Sequence, residues 1–329
     1  MGKLALVLSG GGAKGAYQVG VLREVLRRQL PIHLICGTSI GALNGAVLAQ
    51  DLEEETGGKY VEKLAKSWLE APQPIGFHWW GLVKTLLRGR SPLAMGSLSS
   101  DRRVRRLVGQ LIPKELQFDH FTKVELAITA TDLNRGTSRV FTNNDTLSLR
   151  RGVLASCALP LLLPTVTVDG RYHTDGGVFA NTPIGAAMER GATEIIVVSL
   201  RPQANDIYLQ GIADGEPYDD LSSVATRLVD LILDQVMYRE VHQARIHNAL
   251  LQLAGKVEGK VGQEIRRILG VAPGVIGYTR LIEIAPETVL EPPGAFGFND
   301  KESIAQIMKR GEEDARQTLA HLSPPMFNL

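Results

Sequence analysis

Two short apolar runs, Lys3 to Leu8 and His33 to Cys36, each end abruptly in glycine. Neither alternates with polar residues, which is the pattern of strands covered on both faces. Further strands are predicted at Val124 to Thr131, Ser138 to Thr142, Thr165 to Val168, Glu194 to Leu200 and Arg280 to Ala285. Apolar residues at helical spacing predict helices over Ala16 to Gln29, Ala42 to Gln50, Ser99 to Leu111 and Pro183 to Arg190, the last with Thr182 as its N-cap. A long helix is predicted from about Asp220 to Leu253, where Leu221, Val224, Leu228, Ile232 and Val236 recur, and a closing one from Lys301 to His321. Strands alternating with helices predict an α/β fold.

One stretch departs from this pattern. Residues 73–98 hold two of the three tryptophans among prolines and glycines, with a short basic amphipathic piece from Trp79 to Arg90. It reads either as a loop packed by its aromatics or as a lid or interfacial patch, in which Trp and Leu oppose Lys84, Arg88 and Arg90. The basic run from Asp101 to Arg106 extends that face or is simply solvated. The expected organisation is a single domain over 1–329, with a possible insertion at 73–98 and a helical region from 220 to 329.

Composition narrows the function classes. The 329 residues are 44% hydrophobic, enough for a large core, and a net charge of +1 supplies no global field for nucleic acid. No apolar stretch approaches the roughly 20 residues of a membrane-spanning helix, and the run to Leu8 is too short for a signal peptide. The two cysteines, Cys36 and Cys157, sit in apolar segments without partners at metal-ligand spacing, so neither a disulfide framework nor a metal site is expected. A soluble cytoplasmic protein, with peripheral contact to a membrane surface if 73–98 is a lid, is the expectation.

The chemistry starts at Gly37-Thr38-Ser39-Ile40-Gly41. A G-x-S-x-G between strand and helix is a nucleophile elbow, in which Gly37 and Gly41 flank a tight turn that pushes the serine hydroxyl outward. The other reading of Ser39 is a plain N-cap of the following helix. The first strand ends in Ser9-Gly10-Gly11-Gly12-Ala13-Lys14-Gly15, which also spells the dinucleotide fingerprint Gly10-x-Gly12-x-x-Gly15. That fingerprint needs an acidic residue after the second strand, and none lies between Glu24 and Asp51; a P-loop fails because Gly15 follows Lys14. Amides at a helix start suit the negative oxygen of an acyl intermediate equally well, so Gly10 to Gly12 read as an oxyanion hole, with Lys14 setting the loop or its field.

A base is harder to find. Of seven histidines, the order serine, acid, histidine leaves only His242, His247 and His321, all on predicted helices. Tyr172-His173-Thr174-Asp175-Gly176-Gly177 offers instead a loop aspartate after the Asp169-Gly170 turn. An aspartate within about 3 Å of the serine takes its proton directly. By itself Asp175 reads equally well as an ordinary turn residue.

Taken together, the sequence resembles the patatin-like phospholipases. The resemblance rests on Gly10 to Gly15, on Gly37 to Gly41, on Ala155-Ser156-Cys157-Ala158-Leu159-Pro160, and on Asp175 to Gly177 followed by Asn181 and Pro183. The region Phe296 to Leu319 is similar to the closing helix of bacterial members; Lys14 replaces the more frequent arginine. The resemblance implies a three-layer α/β/α fold with a mostly parallel central sheet. It also implies a Ser39–Asp175 dyad, an oxyanion site at the glycine loop, no metal or organic cofactor, and phospholipid or other acyl-lipid substrates. Other readings remain open at this point: acyl transfer on the same dyad, nucleotide binding at Gly10 to Gly15, or a lipid-responsive module silenced by a closed lid. Leu159, Leu161, Leu162 and Leu163 are expected to be mostly core.

Overall fold

The computed structural model describes residues 2–70, 101–202, 221–257, 260–269, 279–290 and 301–320. The segment 73–98, read either as a packed loop or as a lid, residues 296–300 and His321 lie outside them. In chain order the elements are β1 (Leu4–Leu8), α1 (Gly15–Arg27), β2 (Leu34–Thr38), α2 (Ile40–Glu54), α3 (Lys59–Glu70), α4 (Arg102–Leu111), β3 (Glu125–Asp132) and β4 (Thr137–Phe141). Then come α5 (Leu149–Ser156), β5 (Val166–Val168), β6 (Arg171–Asp175), α6 (Ile184–Glu189), β7 (Glu194–Val198), α7 (Leu221–Lys256), α8 (Lys260–Ile268), β8 (Arg280–Ile284) and α9 (Lys301–Ala320).

All seven expected strands form, with shifted ends, and β6 is an eighth. The sheet runs β5-β6-β3-β2-β1-β7-β8, with β4 also paired to β3. The five strands β3, β2, β1, β7 and β8 are mutually parallel, whereas β4 and β6 run antiparallel to β3. β4 pairs with Ile128–Asp132 and so overlaps the stretches of β3 used by β2 (Glu125–Thr129) and by β6 (Ala130–Asp132). It must take the other edge, which leaves β2 and β6 on one edge of β3, meeting end to end. Thr38, the last residue of β2, is in register with Thr129; Asp175, the last of β6, is in register with Ala130. This junction positions the site.

Alternate residues of the central strands feed two cores, as the two-residue period requires. Leu4, Leu6 and Leu8 point to one side, where they join α1, α2, α3, α4, α5 and α9. Ala5, Val7, Leu34 and Cys36 point to the other and pack with Ile184 and Ala187 of α6 and Ala244 of α7. The result is a three-layer α/β/α arrangement. α9 crosses α1 with backbones nearly touching, since a side chain at Gly20 or Gly311 would strike the backbone of the facing helix. Tyr17 Oη donates to Asp314 Oδ2 at 2.7 Å across the same crossing. Among the described residues, no helix is long and apolar enough to cross a membrane.

Four helices depart from the sequence reading. α3, α5 and α8 were not expected, although Val61, Leu64, Ala65 and Trp68 of α3 are buried at helical spacing. α6 begins one residue later than predicted: Pro183, not Thr182, occupies the cap position, since its ψ of 57° lies outside the helical region. Leu159, Leu162 and Leu163 are core with Val229 and Leu233 as expected, whereas Leu161 is 64% exposed with a positive φ of 66°.

Candidate active site

Ser39 follows β2 directly and caps α2 with φ 55° and ψ −123°, a left-handed conformation that non-glycine residues adopt only under tight constraint. The constraint comes from its two glycines. A Cβ at Gly37 would lie 2.5 Å from the Gly41 carbonyl oxygen, and one at Gly41 would collide with the Leu8 carbonyl oxygen and sit 2.8 Å from that of Ser9. Only glycine lets α2 leave the strand this sharply against β1. Ser39 is 6% exposed, so it is a buried serine at the mouth of a turn rather than a surface cap.

Asp175 is not the loop residue that the sequence suggested. It is the last residue of β6 and fully buried, and the turn at Asp169 and Gly170 joins β5 to β6. The loop reading failed because Arg-Tyr-His-Thr-Asp has no apolar pattern; pairing with β3 and β5 makes it a strand. Its Oδ1 accepts from the Gly177 amide at 2.8 Å, and its backbone carbonyl accepts from Thr131 Oγ1 at 2.8 Å. A side chain at Gly176 would collide with the Thr129 carbonyl and lie 3.1 Å from Thr38 Cγ2, which shows how closely the aspartate turn packs on the end of β2.

The Asp175 carboxyl therefore faces the Ser39 turn across one residue step of β3. Burial pushes its pKa up to about 7, while the Ser39 side chain and the Gly177 amide pull it back. The Ser39 interaction falls short of a formed hydrogen bond, because Asp175 Oδ2 has no bonded partner among the described residues. A buried carboxyl oxygen without a donor costs stability, and such groups concentrate where chemistry needs them. Catalytic hydrogen bonds are commonly loose until substrate arrives.

The glycine loop lies against both residues. A side chain at Gly10 would strike Asn181 Oδ1 and come within 3.2 Å of Ser39 Cβ, and one at Gly15 would strike Ile40. The Gly10 amide donates to the Asn181 carbonyl at 2.9 Å. Of the predicted oxyanion amides, Gly10 therefore holds the loop in place, and only those of Gly11 and Gly12 donate to no group among the described residues. Lys14 is buried, 3% exposed, at the start of α1. A cavity of about 20 Å³, room for one water, is lined by Gly10, Gly11, Lys14, Asn181, Arg201 and Asp234.

Asn181 is a hub that the sequence marked only as part of a motif. Besides Gly10 it reaches Leu233 of α7, donating from Nδ2 to the carbonyl at 3.1 Å, and its Oδ1 is buried without a partner among the described residues. Glu240, also on α7, accepts from the Thr182 amide at 2.6 Å and is half-buried; its pKa rises to about 8 through desolvation, opposed by the Thr182 and Asn181 amides and by Arg239. No sequence signal distinguishes Glu240 from the other charges of α7. Of the described histidines, His242 is exposed and His247 half-buried on α7, and His173, two residues before Asp175, bonds the Arg171 carbonyl at 3.1 Å.

The patatin-like phospholipase family model matches residues 6–188. Patatin-like phospholipase domain-containing protein 7 of Rattus norvegicus is 33% identical over 199 residues, covering 60% of this chain and 13% of the relative. Lysophospholipase NTE1 of Debaryomyces hansenii is 27% identical over 197 residues, covering 60% and 12%. This chain thus spans about an eighth of the length of these curated relatives. Among solved structures, VipD from Legionella pneumophila aligns over 97% of this chain and 67% of its own, at 16% identity and a TM-score of 0.42. The matched residues 6–188 make up more than half of the chain and run from the glycine loop through the Ser39 turn to Asp175, and the chain belongs to the patatin-like phospholipase family.

Proposed function

We propose that the chain is a lipid acyl hydrolase in which Ser39 is the nucleophile and Asp175 the general base. The observation that carries this reading is the Asp175 carboxyl, buried, with Oδ2 unpartnered among the described residues and a pKa raised to about 7, facing a serine held in a strained turn. Above that pH the carboxylate takes the hydroxyl proton as Oγ attacks the acyl carbonyl. The Gly11 and Gly12 amides receive the developing oxyanion, with buried Lys14 adding positive field beneath them. Collapse expels the alcohol, which leaves with the proton from Asp175. Water then attacks the acyl-enzyme, giving its proton to Asp175, and release of the fatty acid returns that proton to Ser39.

Family membership and the phospholipase and lysophospholipase names of the relatives support phospholipid or lysophospholipid acyl esters as substrates. Exposed Leu161 and Phe179 near the aspartate turn are consistent with substrate met at a membrane or micelle surface. Fatty-acid release from lysophosphatidylcholine and from phosphatidylcholine vesicles tests the reading. Ser39→Ala and Asp175→Asn should each lower turnover by roughly 10³-fold or more, with an unchanged circular dichroism spectrum. An undiminished rate in either variant contradicts the dyad.

A further inference from the structure

The end of α5 grips both halves of the site. Ser156 Oγ accepts from the Ser39 amide at 2.8 Å and donates to the Thr129 carbonyl of β3 at 2.6 Å. The next residue holds the other end of the same residue's backbone, since Cys157 Sγ donates to the Ser39 carbonyl at 3.1 Å. The residue after that reaches the aspartate strand: the Ala158 carbonyl accepts from the Asp175 amide at 2.8 Å and from Thr174 Oγ1 at 2.6 Å. All three are buried, at 0%, 9% and 3% exposure.

These bonds do something the strands cannot. β2 ends at Thr38, and the left-handed turn carries the Ser39 amide away from a direct partner on β3, so a side-chain hydroxyl is inserted between the two. Fixing the amide direction constrains φ of Ser39, and fixing the carbonyl constrains ψ. With both set, the Cα–Cβ bond that aims Oγ is set as well. We propose that Ser156-Cys157-Ala158 is a positioning segment that fixes the separation and mutual orientation of the Ser39 hydroxyl and the Asp175 carboxylate, with Ser156 its principal member. The inference rests on reading Ser39 and Asp175 as the working pair. Burial and the neighbouring Asp175 charge hold the Cys157 thiol well above its ordinary pKa, so it stays a donor at neutral pH.

The test uses the full chain, a p-nitrophenyl ester as substrate and a fluorophosphonate as titrant of reactive Ser39. Native protein that takes no fluorophosphonate at Ser39 refutes the hydrolase reading itself, before any variant is compared. In Ser156→Ala, kcat per titrated site should fall about 10- to 100-fold with KM within about twofold, because small misplacements of reacting groups cost this much. Ser156→Thr, which restores the hydroxyl, should return to within about threefold of native. A merely structural serine would instead lower the titratable fraction and the melting temperature while each surviving site turned over at the native rate, and that result overturns the proposal. Where Ser156→Ala does not fold, the threonine variant decides: folded and within about threefold upholds the proposal, folded and more than about tenfold slow overturns it.

Discussion

The serine half and the aspartate half of the site differ in how much of their hold is local. Ser39 is bent by a local turn, where Gly37 and Gly41 allow backbone to approach backbone and β1 closes the space behind, and remote Ser156 and Cys157 then hold its amide and carbonyl. Asp175 is fixed by partners remote in sequence: Thr131, 44 residues earlier, holds its carbonyl, and Ala158 holds its amide. Beyond it, Asn181 ties the following turn to the glycine loop and to α7. A local turn concentrates strain in a few residues and writes a motif. An assembly of remote partners spreads its cost and writes almost nothing, yet it decides the electrostatics of the buried carboxyl.

The largest expected effect breaks the serine half. Gly41→Ala places a methyl group inside the contact distance of two main-chain carbonyls that cannot rotate away. It should cost about 3 kcal/mol or more, at or beyond the upper end of ordinary overpacking, and yield little folded protein in a denaturant titration. The aspartate half responds differently. An Asp175 pKa raised to about 7 from 3.8 means that folding holds a proton which the unfolded chain releases. Its stabilising contribution is complete below about pH 4, declines as pH rises and is gone above about 7. Asp175→Asn should therefore be inactive yet more stable than native at pH 8, with the advantage shrinking toward pH 4; urea midpoints across pH measure this.

A smaller effect lies at Glu240, whose pKa is raised to about 8 by desolvation. The sign is the same, with the native protein losing stability as pH climbs from about 4.5 to about 8 and losing no more beyond. Glu240→Gln should match native stability near pH 4 and exceed it at pH 9, read again from urea midpoints. A variant equally weakened at both values would mean that the Thr182 and Asn181 amides need the carboxylate itself.

The same contrast explains what was legible in the sequence. β1 and β2 were readable because strands buried on both faces must be apolar throughout, and the Ser39 turn because its two glycines have no substitute. The glycine loop was readable in outline, but not that the Gly10 amide is taken by the Asn181 carbonyl, which depends on a residue far along the chain. β6 was invisible, since its residues are polar and its strand form comes from pairing on both sides. α3 was a missed signal rather than an absent one, given Val61, Leu64, Ala65 and Trp68 at helical spacing. Ser156 and Cys157 stood in a recognised motif, yet their grip on Ser39 requires knowing that β2 and β6 meet on one edge of β3.

The pH dependence of kcat/KM for ester hydrolysis tests most directly whether the buried carboxyl drives the serine. The native protein should gain activity through a single midpoint near pH 7 and level off above it, while Asp175→Asn stays low and without that midpoint. A native profile flat from about pH 5 to 9, or an Asp175→Asn variant that keeps the native rate and midpoint, would contradict the account.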